Sequence, residues 1–283
     1  MKLLAVLLLC AITAVSPVAA DESAAEVFGV MYWTHRDEGV YRAARDGSEI
    51  KLLAAIKNAD GIALDHKTQK LYFTVSGYPG PNADKLYRVD LDGSGLEEFV
   101  AGLNFTGDLV LDEESQKLYL TGVGDGKILE INIADKQQRD ILTGLVGPDE
   151  LALDPANRQI YFTSSGQHKI ERIGLDGSGR REIVGGLGTP FGLALDVDQN
   201  ELYFLEAQGK LRRVKLDGSN LTTLAEGLSQ PDGLAFDQDN RKLYWTEKGK
   251  LCQANADGTQ IETLISGKTG QYASLLILPP KEP

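Results

Sequence analysis

The sequence contains very little cysteine and histidine, and this scarcity excludes several classes of protein. Among 283 residues there are two cysteines, three histidines, two tryptophans and two methionines. Cys10 lies in an apolar N-terminal stretch, so only Cys252 is left in the rest of the chain and we expect no intramolecular disulfide. The GxSxG, HExxH, CxxC and P-loop motifs are also absent, which argues against the hydrolases, metalloproteases, thiol oxidoreductases and nucleotide-binding enzymes that carry them.

Positive charge is scarce as well. The chain has 29 basic residues against 41 acidic ones, a formal net charge of −12 at pH 7. This balance argues against nucleic acid and anionic membrane as partners, and it favours cationic ligands, metal ions or simple solubility.

Long apolar runs are missing except at the N-terminus. Lys2 precedes an apolar stretch over residues 3–15, and Val18-Ala19-Ala20 ends it with small residues, as in a secretory signal. The stretch is too short for a transmembrane helix, which needs about 20 apolar residues. We predict a signal peptide over residues 1–20, a linker over 21–26, one domain over 27–279 and a tail over 280–283. The protein is then secreted, or periplasmic in a bacterium, and has no transmembrane segment.

One sequence motif recurs through the chain at nearly constant spacing. "PDELALDPANRQIYFTS", "PFGLALDVDQNELYFLE" and "PDGLAFDQDNRKLYWTE" share an aspartate that stands seven residues before a tyrosine. The equivalent aspartates are Asp65, Asp112, Asp154, Asp196 and Asp237. Their separations of 41 to 47 residues are typical of propeller blades.

The local patterns within each repeat predict strands. "GLALD" and "LYFT" are short, apolar and aromatic, and Asp-Gly dipeptides supply the tight turns between later strands. Because no window shows a sustained 3.6-residue period, we expect almost no helix. We predict an all-β six-bladed propeller of four-stranded antiparallel blades. The first blade begins with "VMYWTH" and is completed by the C-terminal strand "YASLLIL", which removes exposed sheet edges.

These motifs resemble a known family. "MYWTH" and "LYWTE", with "LYFT", "LYLT", "IYFT" and "LYFL" between them, are similar to the YWTD repeats of low-density-lipoprotein-receptor-type propellers, known as class B repeats. The resemblance covers residues 27–278 and, together with the predicted signal peptide, leads us to expect a stand-alone secreted form. The final Asp of YWTD is replaced in every copy, and the cysteine-rich modules that flank receptor propellers are absent, so the receptor role does not follow.

Positions that repeat are interpreted as scaffold. The Asp-Gly turns are uniform, and so are the links that follow the equivalent aspartates of the repeat. We expect the tyrosines that stand seven residues after those aspartates to lie in the core. An equivalent strand position holds Arg42, Arg88, Arg172 and Arg213, for which we expect hydrogen bonds from blade to blade; the alternative is that they line a ligand surface. Cys252 is expected to be an unreactive thiol.

Positions that vary are candidates for binding, because variable loops on a rigid repeat are where selectivity usually lies. Acidic residues precede several inner strands and should gather at one mouth of the central channel. The predicted binding face comprises Asp60, Asp108, Asp149, Glu150, Asp232, Tyr78, His168, Glu206 and Glu247. Oxygen ligands suit calcium, and the candidate metal ligands are Asp60, Asp149, Glu150 and Asp232. The alternative is that the "PDG" segments are turns without a ligand.

Two functions remain open from the sequence. The first is an interaction module, expected to be a monomer, that holds a protein, peptide or carbohydrate ligand, with a cationic group favoured by the negative charge of the chain. The alternative is a calcium-dependent hydrolase resembling lactonases and gluconolactonases, with Ca²⁺ in the channel; no asparagine occupies the positions such a site would use. We assign no catalytic residue and favour a non-enzymatic role. Asn104 and Asn220 lie in glycosylation sequons, which matter only in a eukaryotic protein.

Overall fold

The computed structural model describes residues 29–77, 82–267 and 274–278. These residues form six four-stranded antiparallel sheets, as predicted from the repeat. Their only helical element is a single 3₁₀ turn at Ser165–Gln167. The predicted signal peptide, the linker and the tail lie outside the described residues.

The six blades follow one another along the chain. The first contains β1 (Val30–His35), β2 (Gly39–Ala44) and β3 (Lys51–Ala54); the second contains β4 (Ala59–Asp65), β5 (Lys70–Val75), β6 (Asp84–Asp90) and β7 (Glu97–Leu103). The third contains β8 (Thr106–Asp112), β9 (Lys117–Gly122), β10 (Lys127–Asn132) and β11 (Gln138–Leu142). The fourth contains β12 (Pro148–Asp154), β13 (Gln159–Ser164), β14 (Lys169–Gly174) and β15 (Arg181–Val184). The fifth contains β16 (Pro190–Asp196), β17 (Glu201–Glu206), β18 (Lys210–Lys215) and β19 (Thr222–Glu226). The sixth contains β20 (Leu234–Asp237), β21 (Lys242–Glu247), β22 (Lys250–Asn255) and β23 (Glu262–Ser266), and β24 (Leu275–Ile277) returns to the first blade.

The C-terminal strand closes the ring. In the sheet order β24-β1-β2-β3, the last strand pairs antiparallel with the first, and Trp33 stands opposite Leu275. The backbone N–H of Ser274 also donates to Thr34 Oγ1 at 2.9 Å. The predicted closure is therefore confirmed. Within the described part of the chain, no helix is long and apolar enough to span a membrane.

The repeated aspartates stabilise turns, as the scaffold interpretation requires. Asp65 ends β4 and accepts hydrogen bonds from the backbone N–H of Lys67 at 2.9 Å and from Thr68 Oγ1 at 2.8 Å. In the Asp-Gly turns, Asp46 accepts a hydrogen bond from the backbone N–H of Ser48 at 2.9 Å. A carboxylate that satisfies nearby backbone donors favours such a turn over an extended chain.

The core lies between neighbouring blades. The six tyrosines of the YWTD-like positions are all buried: Tyr32, Tyr72, Tyr119, Tyr161, Tyr203 and Tyr244. Ion pairs also join adjacent blades, on the side of the disc where the links between the first and second strands of each blade lie. Arg158 contacts Asp112 at 2.8 Å, and Arg241 contacts Asp196 at 2.6 Å. The buried carboxylates of the repeat thus serve both a turn and an inter-blade contact.

The expectation that the equivalent strand arginines bond from blade to blade is wrong for two of them. Arg88 Nε donates to Glu97 at 2.5 Å, and Arg213 contacts Glu201 at 3.5 Å. In each case the acidic partner lies in the same sheet, because strand pairing brings it beside the arginine. The inter-blade role belongs instead to arginines of the connecting segments.

Candidate functional site at the channel mouth

The inner strands begin with irregular backbone, and this is where the acidic residues lie. Strand pairing shifts between Ala59 and Ile62 in β4, between Thr106 and Leu109 in β8, and between Pro148 and Leu151 in β12. A fourth shift occurs in β16. The residues within these bulges include Asp60, Asp108, Asp149 and Glu150. A β-bulge leaves its extra residue unpaired and redirects side chains, which makes it a common feature beside functional sites.

Glycines allow the inner strands to approach closely at this end of the channel. A Cβ added to Gly61 would lie 2.7 Å from the Asp108 Cα, and one added to Gly107 would lie 2.7 Å from Thr121 Oγ1 and 3.3 Å from Asp149 Oδ1. Thr121 donates a hydrogen bond to the carbonyl oxygen of Asp149 at 2.7 Å and so ties the third blade to the fourth. The acidic bulges therefore sit on a rigid, tightly packed backbone.

Five carboxylates meet at the mouth: Asp60, Asp108, Asp149, Glu150 and Asp232. We call this set the channel mouth. Burial raises the pKa of Asp60 to about 6, although Arg36 opposes the change. Burial raises the pKa of Asp108 to about 7, and burial with the charges of Asp60 and Asp108 raises the pKa of Asp149 to about 7.

Glu150 interacts with all the other members of the channel mouth. Burial raises its pKa well above the ordinary value, and the nearby charges of Asp108, Asp149, Asp232 and Asp60 raise it further. Like charges at short range disfavour ionisation of one another. At neutral pH the mouth therefore holds fewer negative charges than it has carboxyl groups, unless a cation joins them.

Asp108 fixes the geometry of the mouth. Its Oδ2 accepts a hydrogen bond from the backbone N–H of Leu151 in the fourth blade at 3.2 Å, and its Oδ1 accepts one from Ser274 Oγ in the first blade at 3.2 Å. By contrast, the side chains of Asp149 and Glu150 form neither a hydrogen bond nor an ion pair with the described residues. These two carboxyl groups are thus the ones that remain available to a ligand.

An apolar cavity below the mouth accounts for the raised pKa values of Asp108 and Glu150, which line it. A cavity of about 230 Å³ lies inside the ring of inner strands. Its walls are mainly aliphatic, and Asp108, Glu150 and Ser274 supply the polar groups at one end. A carboxylate beside such a wall loses hydration, which disfavours its charged form.

The remaining residues of the predicted face do not join the channel mouth. Glu206 is 3% exposed, accepts a hydrogen bond from the Gly188 N–H at 3.0 Å and pairs with Arg212 at 3.0 Å. Glu247 accepts a hydrogen bond from the Ser229 N–H at 2.9 Å. Both glutamates therefore hold the loops that lead into inner strands.

His168 and Tyr78 stand apart as well. His168 is exposed, and its Nδ1 lies 2.9 Å from the Gly188 carbonyl oxygen, on the variable-loop side of the disc. Tyr78 lies outside the described residues. His168 thus marks the rim of the predicted face rather than its centre.

Sequence reasoning missed Arg36. It lies in the loop "HRDEG" of the first blade, and one of its terminal nitrogens contacts Asp60 Oδ2 at 3.4 Å. The Arg36 side chain is 38% exposed, so water screens this pair. Its position could have been predicted, because it is a basic residue in a variable loop on the same side of the disc as the acidic mouth.

No group of three or more His, Cys, Asp or Glu side chains in the described ranges is arranged to hold a metal ion. The candidate calcium ligands Asp60, Asp149, Glu150 and Asp232 influence one another electrostatically, as the raised pKa of Glu150 shows. Calcium takes six to eight oxygen ligands at about 2.3–2.6 Å. The described side chains would have to converge further to form such a shell.

Solved structures of other proteins share this fold. A chain in the crystal structure of a nidogen/laminin complex matches with a TM-score of 0.77 and 20% identity, covering 88% of this chain and 99% of that chain. A gluconolactonase from Xanthomonas campestris matches with a TM-score of 0.65 and 19% identity, covering 76% and 78%. TolB from Acinetobacter baumannii matches with a TM-score of 0.71 and 14% identity, covering 87% and 66%.

At sequence identities this low, the structural similarity establishes the propeller fold and nothing about function. No protein-family model matches the chain, and no curated protein sequence matches it significantly. The resemblance to YWTD repeats is supported by the blade architecture, while membership of that family stays a prediction.

Proposed function

We propose that the protein is an exported interaction module whose channel mouth receives a cationic side chain, lysine or arginine, from a protein or peptide partner. The observation that carries this proposal is the convergence of five carboxyl groups, of which Asp149 and Glu150 form no side-chain hydrogen bond or ion pair with the described residues. An ammonium or guanidinium group placed among them would restore their ionisation and form charge-assisted hydrogen bonds.

Apolar side chains beside the mouth suggest what flanks the cation. Phe105 is 47% exposed and Val146 is 51% exposed, and both lie in the loops that lead into acidic inner strands. Phe105 also adopts a positive φ of 46°, which is strained for an aromatic residue. A partner with an apolar residue next to its lysine or arginine would cover these side chains.

The test uses short synthetic peptides. Capped tripeptides with a central Lys, Arg or Gln, flanked by Leu or by Ala, are titrated into the protein by calorimetry at 150 mM NaCl. We expect Lys and Arg peptides with Leu flanks to bind and Gln peptides not to bind. Asp149→Asn should weaken binding at least tenfold, whereas the exposed control Asp239→Asn should not. Failure of every cationic peptide to bind would overturn the proposal.

Proton release gives a second signature of the same site. Because the pKa of Asp149 is about 7, this carboxyl group is partly protonated at neutral pH. A bound cation lowers that pKa, so binding at pH 7 should release protons and should weaken as the pH falls toward 5. Calorimetry in buffers of different ionisation enthalpy measures the released protons.

The calcium-dependent hydrolase is the alternative that this experiment distinguishes. Its support is the same group of carboxyl groups, since oxygen ligands suit calcium and a bound ion polarises an ester carbonyl. Calcium alone is titrated against thermal unfolding, and hydrolysis of gluconolactone is followed in parallel. Tight calcium binding together with lactone hydrolysis would replace the interaction module by the hydrolase.

A further inference from the structure

A polar groove lies on the side of the disc opposite to the channel mouth, at the junction of the fourth and fifth blades. It consists of two adjoining cavities of about 340 and 460 Å³, both lined by Asn157, Gln159 and Arg172. Links after the repeated aspartates and Asp-Gly turns form its walls. We call this feature the blade-4 groove. The sequence predicts that these link segments are uniform scaffold.

Strand register gives the blade-4 groove an unusual charge. In the second blade Arg88 stands opposite Glu97, and in the third blade Glu130 stands opposite Arg139. In the fourth blade the same two positions hold Arg172 and Arg181. Like charges directly opposite each other on neighbouring strands are destabilising. Two cations thus face each other in a protein whose net charge is −12.

Within the described residues Arg172 acts electrostatically on Tyr161, where it opposes the rise in the pKa of the hydroxyl, but no carboxylate pairs with Arg172. Its equivalent Arg88 donates to Glu97 at 2.5 Å, whereas Arg172 forms no hydrogen bond or ion pair with residues 29–77, 82–267 or 274–278. Tyr161, which stands opposite Arg172 in the sheet, donates its hydroxyl to Gln159 at 3.3 Å instead. The carboxylate nearest in sequence, Glu171, is bound by Arg180 through two contacts of 3.0 Å.

The other basic residues around the groove are already paired, and its two aspartates stay ionised because turn hydrogen bonds lower the pKa of each. Arg158 is paired with Asp112 at 2.8 Å, and Lys215 with Glu201 at 2.9 Å. Of the two aspartates in the lining, Asp176 accepts a hydrogen bond from the Ser178 N–H at 2.9 Å and Asp217 accepts one from the Ser219 N–H at 2.9 Å. The charge of Arg181 also contributes to the lowered pKa of Asp217, so Arg172 is the guanidinium most available to a ligand, with Arg181 at its side.

We propose that the blade-4 groove binds a sulfate or phosphate ester carried on a sugar-sized group. Guanidinium groups match tetrahedral oxyanions through parallel N–H donors, and two of them here lack carboxylate partners within 4 Å in the described chain. The amides of Asn157, Gln159 and Asn200 line the same space and suit the hydroxyl groups of a sugar. This site is independent of the channel mouth, which would take a cation.

The test compares glucose 6-phosphate, glucose 6-sulfate and unmodified glucose in calorimetric titrations at low ionic strength. Binding of either ester supports the site, and the difference between the two esters identifies the preferred oxyanion. Arg172→Gln should weaken binding at least tenfold, while Arg88→Gln, the same change at the equivalent position of the second blade, should not. Arg181→Gln and Arg139→Gln form a second matched pair. Both side chains are exposed, so neither change should disturb folding, and only Arg181→Gln should weaken binding.

Thermal unfolding without ligand distinguishes a binding role of Arg172 from a purely structural one. Removing one of two facing cations should leave the melting temperature unchanged or raise it by about 1–3 °C. Arg88→Gln removes a paired guanidinium and should lower it. The proposal is overturned if neither ester binds, if Arg88→Gln and Arg172→Gln weaken binding equally, or if Arg172→Gln destabilises the free protein as much as Arg88→Gln does.

Discussion

Replacing Asp149 by asparagine tests the electrostatics of the channel mouth most sharply. The side chain is nearly isosteric, and the carboxyl group forms no hydrogen bond with the described residues that the change would remove. In the unfolded chain Asp149 titrates near its ordinary pKa of 3.8, and in the folded protein its pKa is about 7. The folded protein therefore holds a proton between these values that the unfolded chain has lost.

The sign of the effect follows from proton linkage. The stabilisation that comes with this proton is fully present below pH 4 and is lost as the pH rises through about 7. The interval between 3.8 and about 7 corresponds to about 4 kcal/mol at 1.36 kcal/mol per tenfold change in proton affinity. Asp149 is only partly buried by solvent accessibility, so water screens its charge and we expect about 2 kcal/mol.

Urea denaturation at pH 4 and pH 8 measures this difference. Asp149→Asn should be more stable than the wild-type protein by about 2 kcal/mol at pH 8 and equally stable at pH 4. The control is Asp239→Asn, which makes the same change at an exposed position. Equal gains for the two variants at pH 8, or a gain for Asp149→Asn that is the same at both pH values, would refute the reasoning.

Three further predictions concern the backbone and the thiol. Gly61→Ala should cost about 3 kcal/mol in the free energy of unfolding, because its Cβ would meet Asp108 Cα at 2.7 Å; Gly144→Ala, with open space around it but a φ of 74°, should cost about 1 kcal/mol by the same denaturation assay. Thr121→Val should cost about 1–2 kcal/mol and weaken the contact between the third and fourth blades, measured as faster hydrogen exchange there; unchanged exchange would contradict this role. Burial raises the pKa of the Cys252 thiol to about 11, so iodoacetamide at pH 8 should modify it only after unfolding, and rapid labelling of the native protein would contradict its burial.

The sequence predicts the scaffold well because the scaffold is repeated. An aspartate seven residues before a tyrosine recurs because each link needs the same turn acceptor, as Asp65 shows, and each sheet needs the same buried ring. The need for a closed ring likewise predicts that the C-terminal strand joins the first blade. Periodicity of this kind reports local constraints, and these constraints determine the fold.

Side-chain partners were harder to predict, because they depend on where neighbouring blades meet. Glu206 was expected on a ligand-binding face from its loop position, yet it is buried and bound to Gly188 and Arg212. Arg88 was expected to reach another blade, yet its partner Glu97 lies on the adjacent strand of the same sheet. Strand register and loop packing decide both cases, and neither is visible in spacing alone.

The channel mouth was predicted less completely than the scaffold but better than the side-chain partners. Alignment of the repeats predicts that Asp60, Asp108 and Asp149 precede equivalent inner strands, so their common location follows from the fold. The bulges that redirect them, and the hydrogen bond from Ser274 that holds Asp108, depend on three-dimensional packing. A sequence can thus indicate which residues meet, while their protonation depends on the apolar channel below.

The most direct measurement is a carbon-13 NMR titration of the side-chain carboxyl groups from pH 3 to pH 9. If the mouth confines its carboxyl groups as described, a subset of the aspartate signals should titrate together with apparent pKa values near 6 and 7, and Asp149→Asn should remove or shift that subset. If all carboxyl signals titrate below pH 5 in the folded protein, the carboxyl groups do not share this mouth and the account is contradicted.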